Sequence, residues 1–261
     1  MTEASKFQDL TTRILSAVVL LAIAGGALYA SGVWFIVFCS VLAGLCVWEL
    51  CRFSSVEAIK VIPIGFFAAA TVAALHFGFT VSVVGFATII LMFYWLYVGG
   101  KDAFLRLFYL ALIILGCWGV LNLHQMGGLI LTLWLIVCVV SSDIGGYFFG
   151  RIFGGPKLWP AVSPKKTWSG TIGGWVLAVL SSAIGFVYFE VNMIFLLLAV
   201  AVAIAAQAGD LFESWIKRRA GIKDSSNLIP GHGGVLDRFD GFIGAGLMVL
   251  LIDQFKFIWS A

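Results

Sequence analysis

Long runs of apolar residues, separated by short polar stretches, form the dominant pattern along this chain. A helix that crosses the hydrocarbon core of a membrane needs about 20 mostly apolar residues. The pattern predicts about nine such helices, over residues 13–30, 32–51, 60–77, 80–98, 104–121, 128–148, 170–189, 193–211 and 241–259. Pro63 and the pair Gly127-Gly128 interrupt two of these runs. We therefore predict an all-α fold, that of a polytopic integral membrane protein.

The basic residues predict the orientation of the helices. If the N-terminus is cytoplasmic and the loops alternate in side, every Lys and Arg except Lys256 falls on the cytoplasmic side. Cytoplasmic loops of membrane proteins carry an excess of these residues. The apolar run from Ile14 to Ala30 follows Lys6 and Arg13 without a clear A-x-A cleavage pattern, so we interpret it as a retained membrane helix and not as a signal peptide.

Composition excludes an ordinary soluble protein. Hydrophobic residues make up 62% of the 261 residues and charged residues only 11%, whereas soluble domains contain about 25% charged residues. The net charge of +3 is small, so nucleic acid is not an expected partner. All the cysteines fall in apolar stretches without a CxxC pair, which predicts buried thiols and neither disulfides nor a zinc site; they are Cys39, Cys46, Cys51, Cys117 and Cys138.

Polar chemistry is concentrated in the second half of the chain. Two polar stretches longer than the other connections cover residues 149–169 and 212–240. Residues 1–125 are therefore interpreted as scaffold helices and residues 126–261 as the catalytic region of a single membrane domain.

The end of the eighth predicted helix carries polar residues on one face. Asp210, Ser214, Lys217 and Arg218 follow the spacing i, i+4, i+7, i+8. A carboxylate, a hydroxyl and two cations on one face suit a phosphate bound together with a metal ion. Lys or Arg alone at this place would more often be membrane anchors, and Arg219, off the shared face, is interpreted as one.

A glycine-rich run follows this helix. Its backbone N–H groups can cradle an anion, because glycine allows close approach of a ligand. Asp237 can meet Asp210 across two helices to hold Mg²⁺, which prefers a few carboxylates together with phosphate oxygens and water. The further candidates of this segment are Lys223, Asp224, His232, Gly233, Gly234, Arg238 and Asp240.

A second polar segment precedes the seventh predicted helix. Asp143 is an acidic residue at membrane depth, which indicates a functional site, with a helix-packing hydrogen bond as the alternative. Gly146 and Gly150 are typical of close helix packing.

In the stretch Ser163-Pro164-Lys165-Lys166-Thr167, two lysines and flanking hydroxyls can hold a triphosphate, although two lysines before a helix also serve as anchors. Glu49, late in the second predicted helix, is assigned no role.

The stretch from Ser214 to Asp240 resembles the hallmark of phosphatidate cytidylyltransferases, also called CDP-diacylglycerol synthases. The resemblance rests on the spacing between Ser, Lys-Arg, Lys-Asp, His-Gly-Gly and Asp-Arg-x-Asp. The Ser163–Thr167 stretch and the pattern Asp143…Tyr147…Gly150-Arg151 also resemble the family, so the similarity covers residues 141–240.

The resemblance implies that CMP passes from CTP to phosphatidic acid. A compact chain without a targeting extension indicates a bacterial inner membrane, and the distribution of Lys and Arg predicts an active site that faces the cytoplasm. The resemblance also implies Mg²⁺ held by Asp210 and Asp237, a second cation as an open question, and a homodimer in the lipid bilayer. The implied catalytic set is Asp210, Asp237, Lys217, Arg218, His232 and Asp240. The substrate-binding set is Asp143, Ser163, Lys165, Lys166, Thr167, Ser214, Lys223, Asp224, Gly233, Gly234 and Arg238.

Two alternatives remain open from the sequence. A CTP-dependent lipid kinase shares part of the C-terminal motif but attacks the γ-phosphate and releases CDP. An ion-coupled transporter would use Asp143 and Asp210 as carriers of protons or cations. Clustering of the charges at one membrane face disfavours the transporter.

Overall fold

The structure is a computed structural model that describes residues 3–53, 57–78, 95, 102–189 and 193–253. Nearly all described residues are helical, as predicted. The helices are α1 (Glu3–Ala30), α2 (Gly32–Arg52), α3 (Ala58–His76), α4 (Ala103–Phe153), α5 (Trp168–Phe189), α6 (Ile194–Arg219) and α7 (Leu236–Asp253). Two short strands, β1 (Lys157–Trp159) and β2 (Ser163–Thr167), lie between α4 and α5.

Six helices, α1 to α6, are long and apolar enough to cross a membrane within the part of the chain that the structure describes. The chain is therefore a membrane protein with several crossing helices. The fourth predicted span, 80–98, lies outside the described residues except for Trp95, and so does the end of the last predicted span, beyond residue 253.

The predicted interruption at Gly127-Gly128 is confirmed. Helix α4 has non-helical backbone angles at both glycines, and Gly128 has a φ of 59°, in the left-handed region that glycine adopts readily. Two predicted spans, 104–121 and 128–148, therefore correspond to the two halves of one kinked element.

The chain divides into two compact units. The first contains Met1–Ile114 and Ala220–Phe239, and the second contains Leu115–Arg219 and Asp240–Ala261. The assignment of scaffold and catalytic roles to residues 1–125 and 126–261 concerns function and stays a prediction.

Helices α2 and α3 of the first unit are in close contact through facing glycines. A Cβ atom added at Gly44 would lie 2.8 Å from the carbonyl oxygen of Gly65, and one at Gly65 would lie 2.8 Å from that of Gly44. Small residues let two helix backbones approach closely, which is how membrane helices pack without a hydrophobic driving force between them. This packing fixes α2, the helix that carries Glu49.

Glycines also bring the helices of the second unit together. Gly116 and Gly119 of α4 face Ile243 and Gly246 of α7, at distances that leave no room for a Cβ atom. The packing role predicted for Gly146 and Gly150 is confirmed, because both lie against Gly170 of α5. A Cβ added at Gly170 would lie 2.5 Å from the carbonyl oxygen of Gly146.

All five cysteines are buried free thiols, as predicted. Cys39, Cys46 and Cys51 lie on α2, and Cys117 and Cys138 lie on α4. They act as small apolar side chains in the helix packing.

The stretch 149–169, which was predicted as a loop, contains regular structure. Helix α4 continues to Phe153, and β1 and β2 then form an antiparallel hairpin in which Lys157 pairs with Thr167 and Trp159 with Ser163. Pro164 fits the short edge strand because a proline cannot donate to a central ladder. The hairpin fixes Lys165 and Lys166 immediately before α5.

Candidate active site

A cavity of about 430 Å³ lies in the second unit, between α4, the β hairpin, α5 and α6. Five of the candidate site residues line it: Asp143, Lys165, Lys166, Thr167 and Asp210. These residues come from segments that lie up to several tens of residues apart in the sequence. The structure thus brings the lysine pair and the acidic residues of two helices to one place.

An ion pair lies in this cavity. Lys166 Nζ is 2.5 Å from Asp210 Oδ2, and Ser214 Oγ, one helical turn further along α6, donates to Asp210 Oδ1 at 3.3 Å. The side chains of Lys166 and Asp210 are 27% and 34% exposed, so both remain accessible to a ligand. The predicted neighbourhood of Asp210 and Ser214 is confirmed.

Three carboxylates of the second unit lie within electrostatic range of one another. Asp143 interacts with Asp210 and Lys166, and Asp240 interacts with Asp210, Asp143 and Lys217. Like charges repel each other more strongly in a medium of low dielectric constant than in water. A bound cation would relieve that repulsion.

Lys217 and Arg218 have partners in the second unit that sequence reasoning missed. Lys217 Nζ is 2.5 Å from Glu213 Oε2 in a buried ion pair. Arg218 Nε donates to the carbonyl oxygen of Val162 at 3.4 Å. The i, i+4 spacing of Glu213 and Lys217 was the available signal for the first contact. Phosphate binding by the two cations stays a prediction.

The cavity wall includes two polar residues that sequence reasoning missed, Ser142 and Gln207, as well as Tyr147 and Arg151 of the pattern described above. Gln207 Nε2 donates to Ser142 Oγ at 3.0 Å, and Trp175 Nε1 donates to Gln207 Oε1 at 3.0 Å. Arg151 Nη1 donates to the hydroxyl of Tyr147 at 2.7 Å. Gln207 was recognisable as the one amide in the long apolar run of α6. Ser163 lies at the start of β2, paired with Trp159.

In the first unit, the carboxylate of Asp237 organises the glycine-rich loop. Asp237 Oδ2 accepts hydrogen bonds from the backbone N–H of Ser225 at 2.9 Å and from the N–H of Gly234 at 2.8 Å, and Ser225 Oγ lies 3.0 Å from it. A Cβ atom at Gly233 would lie 2.8 Å from Asp237 Oδ2, and Gly233 has a φ of 87°. Position 233 therefore requires glycine for two reasons: a Cβ atom would clash with Asp237, and the positive φ disfavours other residues.

His232 and Arg238 stabilise the same loop. Arg238 donates from Nε and Nη2 to the carbonyl oxygen of His232, at 3.0 and 2.6 Å. His232 Nδ1 shares a hydrogen bond of 2.8 Å with Ser16 Oγ on α1, a residue that the sequence did not single out. Lys223 and Asp224 are exposed on this loop.

Glu49 is a further residue that sequence reasoning missed. Its side chain is fully buried in the first unit, and its carboxylate accepts hydrogen bonds from four residues of the 225–236 segment. The available signal was a carboxylate deep in an apolar run, which is costly unless it has a partner.

Each unit contains a carboxylate of the type that Mg²⁺ prefers. No group of three or more His, Cys, Asp and Glu side chains gathers closely enough to hold a metal ion among the described residues. Mg²⁺ is usually bound by one or two carboxylates plus phosphate oxygens and water, so it needs no such cage. Asp210, in the second unit, and Asp237, in the first, both offer carboxylates of the required type.

Comparison with known proteins gives consistent matches. A family model described as the cytidylyltransferase family matches residues 11–255. A Brucella suis protein is 47% identical over 126 residues, which cover 48% of this chain and 47% of that protein. A Haemophilus influenzae protein is 47% identical over 126 residues, covering 45% and 43%. A Helicobacter pylori protein is 38% identical over 147 residues, covering 56% and 55%. All three are named phosphatidate cytidylyltransferase, and the chain spans about half the length of the curated relatives it matches.

Proposed function

Because this chain belongs to the cytidylyltransferase family, we propose that it transfers CMP from CTP to phosphatidic acid and thereby makes CDP-diacylglycerol for phospholipid synthesis. The observation that carries the proposal is the cavity in which Lys165, Lys166, Thr167, Asp143 and Asp210 meet. Cations, hydroxyls and carboxylates at the end of membrane helices suit a nucleotide triphosphate together with a metal ion. The names of the relatives support the same activity.

The proposed reaction exchanges one phosphoanhydride bond for another. A phosphate oxygen of phosphatidic acid attacks the α-phosphorus of CTP, the bond from that phosphorus to the β-phosphate oxygen breaks, and pyrophosphate leaves. The attacking oxygen is already anionic at neutral pH, so the reaction needs no strong general base. Its main requirements are in-line positioning of the two substrates and neutralisation of charge on the phosphates.

Both units contain candidate phosphate ligands. In the second unit, we propose that Lys165 and Lys166 bind the phosphates of CTP, because the cavity holds both. Lys217 and Arg218 are proposed to neutralise phosphate charge at the end of α6. In the first unit, the proposed phosphate ligands are Lys223, His232, Arg238 and the N–H groups of Gly233 and Gly234.

We propose that Asp210 and Asp237 hold Mg²⁺. When bound, the ion would neutralise charge on the CTP phosphates and stabilise the departing pyrophosphate. Ser214 orients Asp210 through its hydrogen bond, and Ser225 and Gly234 orient Asp237. A second cation in the same site remains part of the proposal.

The fuller topology is also a proposal. We propose nine membrane-spanning helices, a cytoplasmic N-terminus and a homodimer in a bacterial inner membrane, with the active site facing the cytoplasm. The distribution of Lys and Arg supports this orientation. A cytoplasmic site at the membrane surface would admit CTP from water and phosphatidic acid from the bilayer.

A product assay tests the proposed reaction. The protein, purified in mild detergent, would receive phosphatidic acid, CTP and Mg²⁺, and CDP-lipid and pyrophosphate would be followed together. Equal amounts of CDP-diacylglycerol and pyrophosphate are expected. Release of CDP with phosphorylation of a lipid alcohol would replace the proposal with a CTP-dependent lipid kinase. If neither product formed with several metals, the enzyme proposal would fail and ion flux in liposomes would be measured next.

Lys166→Gln is expected to lower kcat/KM for CTP by roughly ten- to a hundredfold, since a hydrogen bond between charged groups contributes about 1.5–3 kcal/mol. Lys166 lies in the cavity and pairs with Asp210, so the change removes a phosphate contact and also leaves a carboxylate without its cation. Steady-state kinetics with varied CTP in mixed micelles measure the effect.

Lys157→Gln is the matched control, because Lys157 is an exposed lysine on the other strand of the same hairpin. It should leave kcat/KM nearly unchanged. Equal losses in the two variants would show that the lysines act by general surface charge, against a specific role for Lys166.

A further inference from the structure

The carboxylate of Glu49 lies at the centre of a closed set of hydrogen bonds in the first unit. Oε1 accepts from Ser226 Oγ at 2.5 Å and from the backbone N–H of Val235 at 3.0 Å. Oε2 accepts from Ser225 Oγ at 2.9 Å and from the N–H of Leu236 at 2.7 Å. Each oxygen thus uses both of its lone pairs, and the buried charge is satisfied by four donors.

Two of these donors lie at the N-terminus of α7. Val235 is the N-cap residue, because its carbonyl oxygen accepts a hydrogen bond from the N–H of Phe239. A valine has no oxygen with which to cap a helix, whereas Ser, Thr, Asp or Asn would. Glu49, on α2, instead accepts from the N–H groups of Val235 and of Leu236, the first residue of the helix, and its negative charge lies at the positive end of the helix dipole.

One of the other two donors, the hydroxyl of Ser225, connects Glu49 to Asp237. Ser225 Oγ lies within hydrogen-bond distance of both Glu49 Oε2 and Asp237 Oδ2, at 2.9 and 3.0 Å. Ser225 also donates its backbone N–H to Asp237. Any shift of the Glu49 carboxylate therefore shifts the hydroxyl that contacts Asp237.

Gly234 allows this arrangement to form. A Cβ atom at residue 234 would lie 2.6 and 2.7 Å from the two carboxylate oxygens of Glu49 and would collide with Ser225 Oγ. The glycine-rich run is thus needed for the close approach of Glu49 as well as for any ligand. Two different carboxylates therefore exclude a side chain at these positions: Asp237 at Gly233 and Glu49 at Gly234.

We propose that Glu49 is a positioning residue. It fixes the 225–236 loop and the first turn of α7, and thereby holds the Asp237 carboxylate in the position that the proposed reaction requires. The expected effect on turnover rests on the proposed function. The fixing of the 225–236 loop by Glu49 does not. Glu49 itself touches no substrate in this arrangement, since its oxygens are filled by protein donors.

Amide hydrogen exchange of the purified full-length protein, without substrate or metal, tests the hold on the loop. Glu49→Gln replaces one acceptor oxygen with an NH₂ group that cannot accept a hydrogen bond. Peptides covering residues 225–237 should exchange about tenfold faster or more, as expected for the loss of hydrogen bonds to a charged group. Peptides of α5 and α6 should be unchanged. Glu57→Gln, an exposed carboxylate that pairs with Lys60, is the control and should show no change.

Kinetics of CDP-diacylglycerol formation test the effect on Asp237. Glu49→Gln should lower kcat by about tenfold or more with little change in the KM for CTP, because the loss falls on alignment and not on nucleotide binding. Glu49→Asp keeps the charge and should recover part of both the exchange protection and the turnover. Ser226→Ala removes a single donor and provides a milder variant if Glu49→Gln does not fold.

Unchanged exchange in the 225–237 peptides of Glu49→Gln and Ser226→Ala would overturn the proposal. A uniform rise in exchange along the whole chain, with kcat and KM changed together and no recovery in Glu49→Asp, would also overturn it, in favour of a general folding role. If the wild-type protein made no CDP-diacylglycerol, the proposed function would fail, and the exchange result would still decide whether Glu49 holds the loop.

Discussion

Asp210→Asn is expected to lower the rate of CDP-diacylglycerol formation by on the order of a thousandfold, because stabilisation of phosphate charge by a bound metal ion is worth several kcal/mol. Asn has the shape of Asp but no charge. In the structure, Asp210 pairs with Lys166 and lies within electrostatic range of Asp143 and Asp240. The substitution therefore removes a ligand of the proposed Mg²⁺ site and the counter-charge of Lys166 together.

The measurement is turnover as a function of Mg²⁺ concentration. The Asn variant should need more Mg²⁺ for half-maximal rate as well as having a lower maximum. Glu57→Gln is the control, since it removes an exposed carboxylate outside the cavity. A variant that melts like the wild-type protein and shows the same Mg²⁺ dependence would contradict the role of Asp210 as a metal ligand.

Gly234→Ala is expected to abolish most of the activity and to destabilise the protein by about 1–3 kcal/mol, the usual cost of inserting a methyl group where there is no space. The new Cβ would lie within 2.7 Å of both Glu49 oxygens and collide with Ser225 Oγ. Gly234 does not have a positive φ. Backbone strain therefore does not contribute, and the expected destabilisation comes only from the steric clash of the added Cβ atom. The loop must move away from α2, and Asp237 must move with it.

Thermal melting in detergent and turnover, measured on the same sample, check this prediction. Gly26→Ala on α1 is the matched control, because nothing lies within 4 Å of the added Cβ and alanine favours a helix. It should melt at the wild-type temperature or above it and retain activity. Wild-type turnover in Gly234→Ala would mean that the loop tolerates displacement, against the arrangement described for Glu49 and Asp237.

The cavity could be predicted from the sequence because its residues are chemical outliers. Asp143, Lys166 and Asp210 are charged groups at the ends of long apolar runs, where charge is costly and therefore indicates function. Helical spacing then placed Ser214 beside Asp210, as the structure confirms. The break at Gly127-Gly128 was predictable for a similar reason, since paired glycines disfavour a continuous helix.

The partners of the charged groups could not be predicted in the same way. Glu49 binds the N–H of Leu236 across a separation of 187 residues, and periodicity carries no information about such distances. Ser16 and Gln207 are common polar residues inside apolar helices, so nothing in their local sequence indicates their contacts with His232 and Ser142. The hairpin was missed because its strands are three and five residues long, too short for an alternating pattern.

The break in α4 has a consequence for the proposed topology of the chain that follows it. An unbroken helix of 51 residues would be about 75 Å long at a rise of 1.5 Å per residue, more than twice the roughly 30 Å of a hydrocarbon core. Each half, before and after Gly127-Gly128, instead matches about one bilayer thickness. On the proposed topology, Gly127 and Gly128 therefore set the number of crossings, and with it the aqueous compartment that would receive Asp143 and the hairpin that follows it.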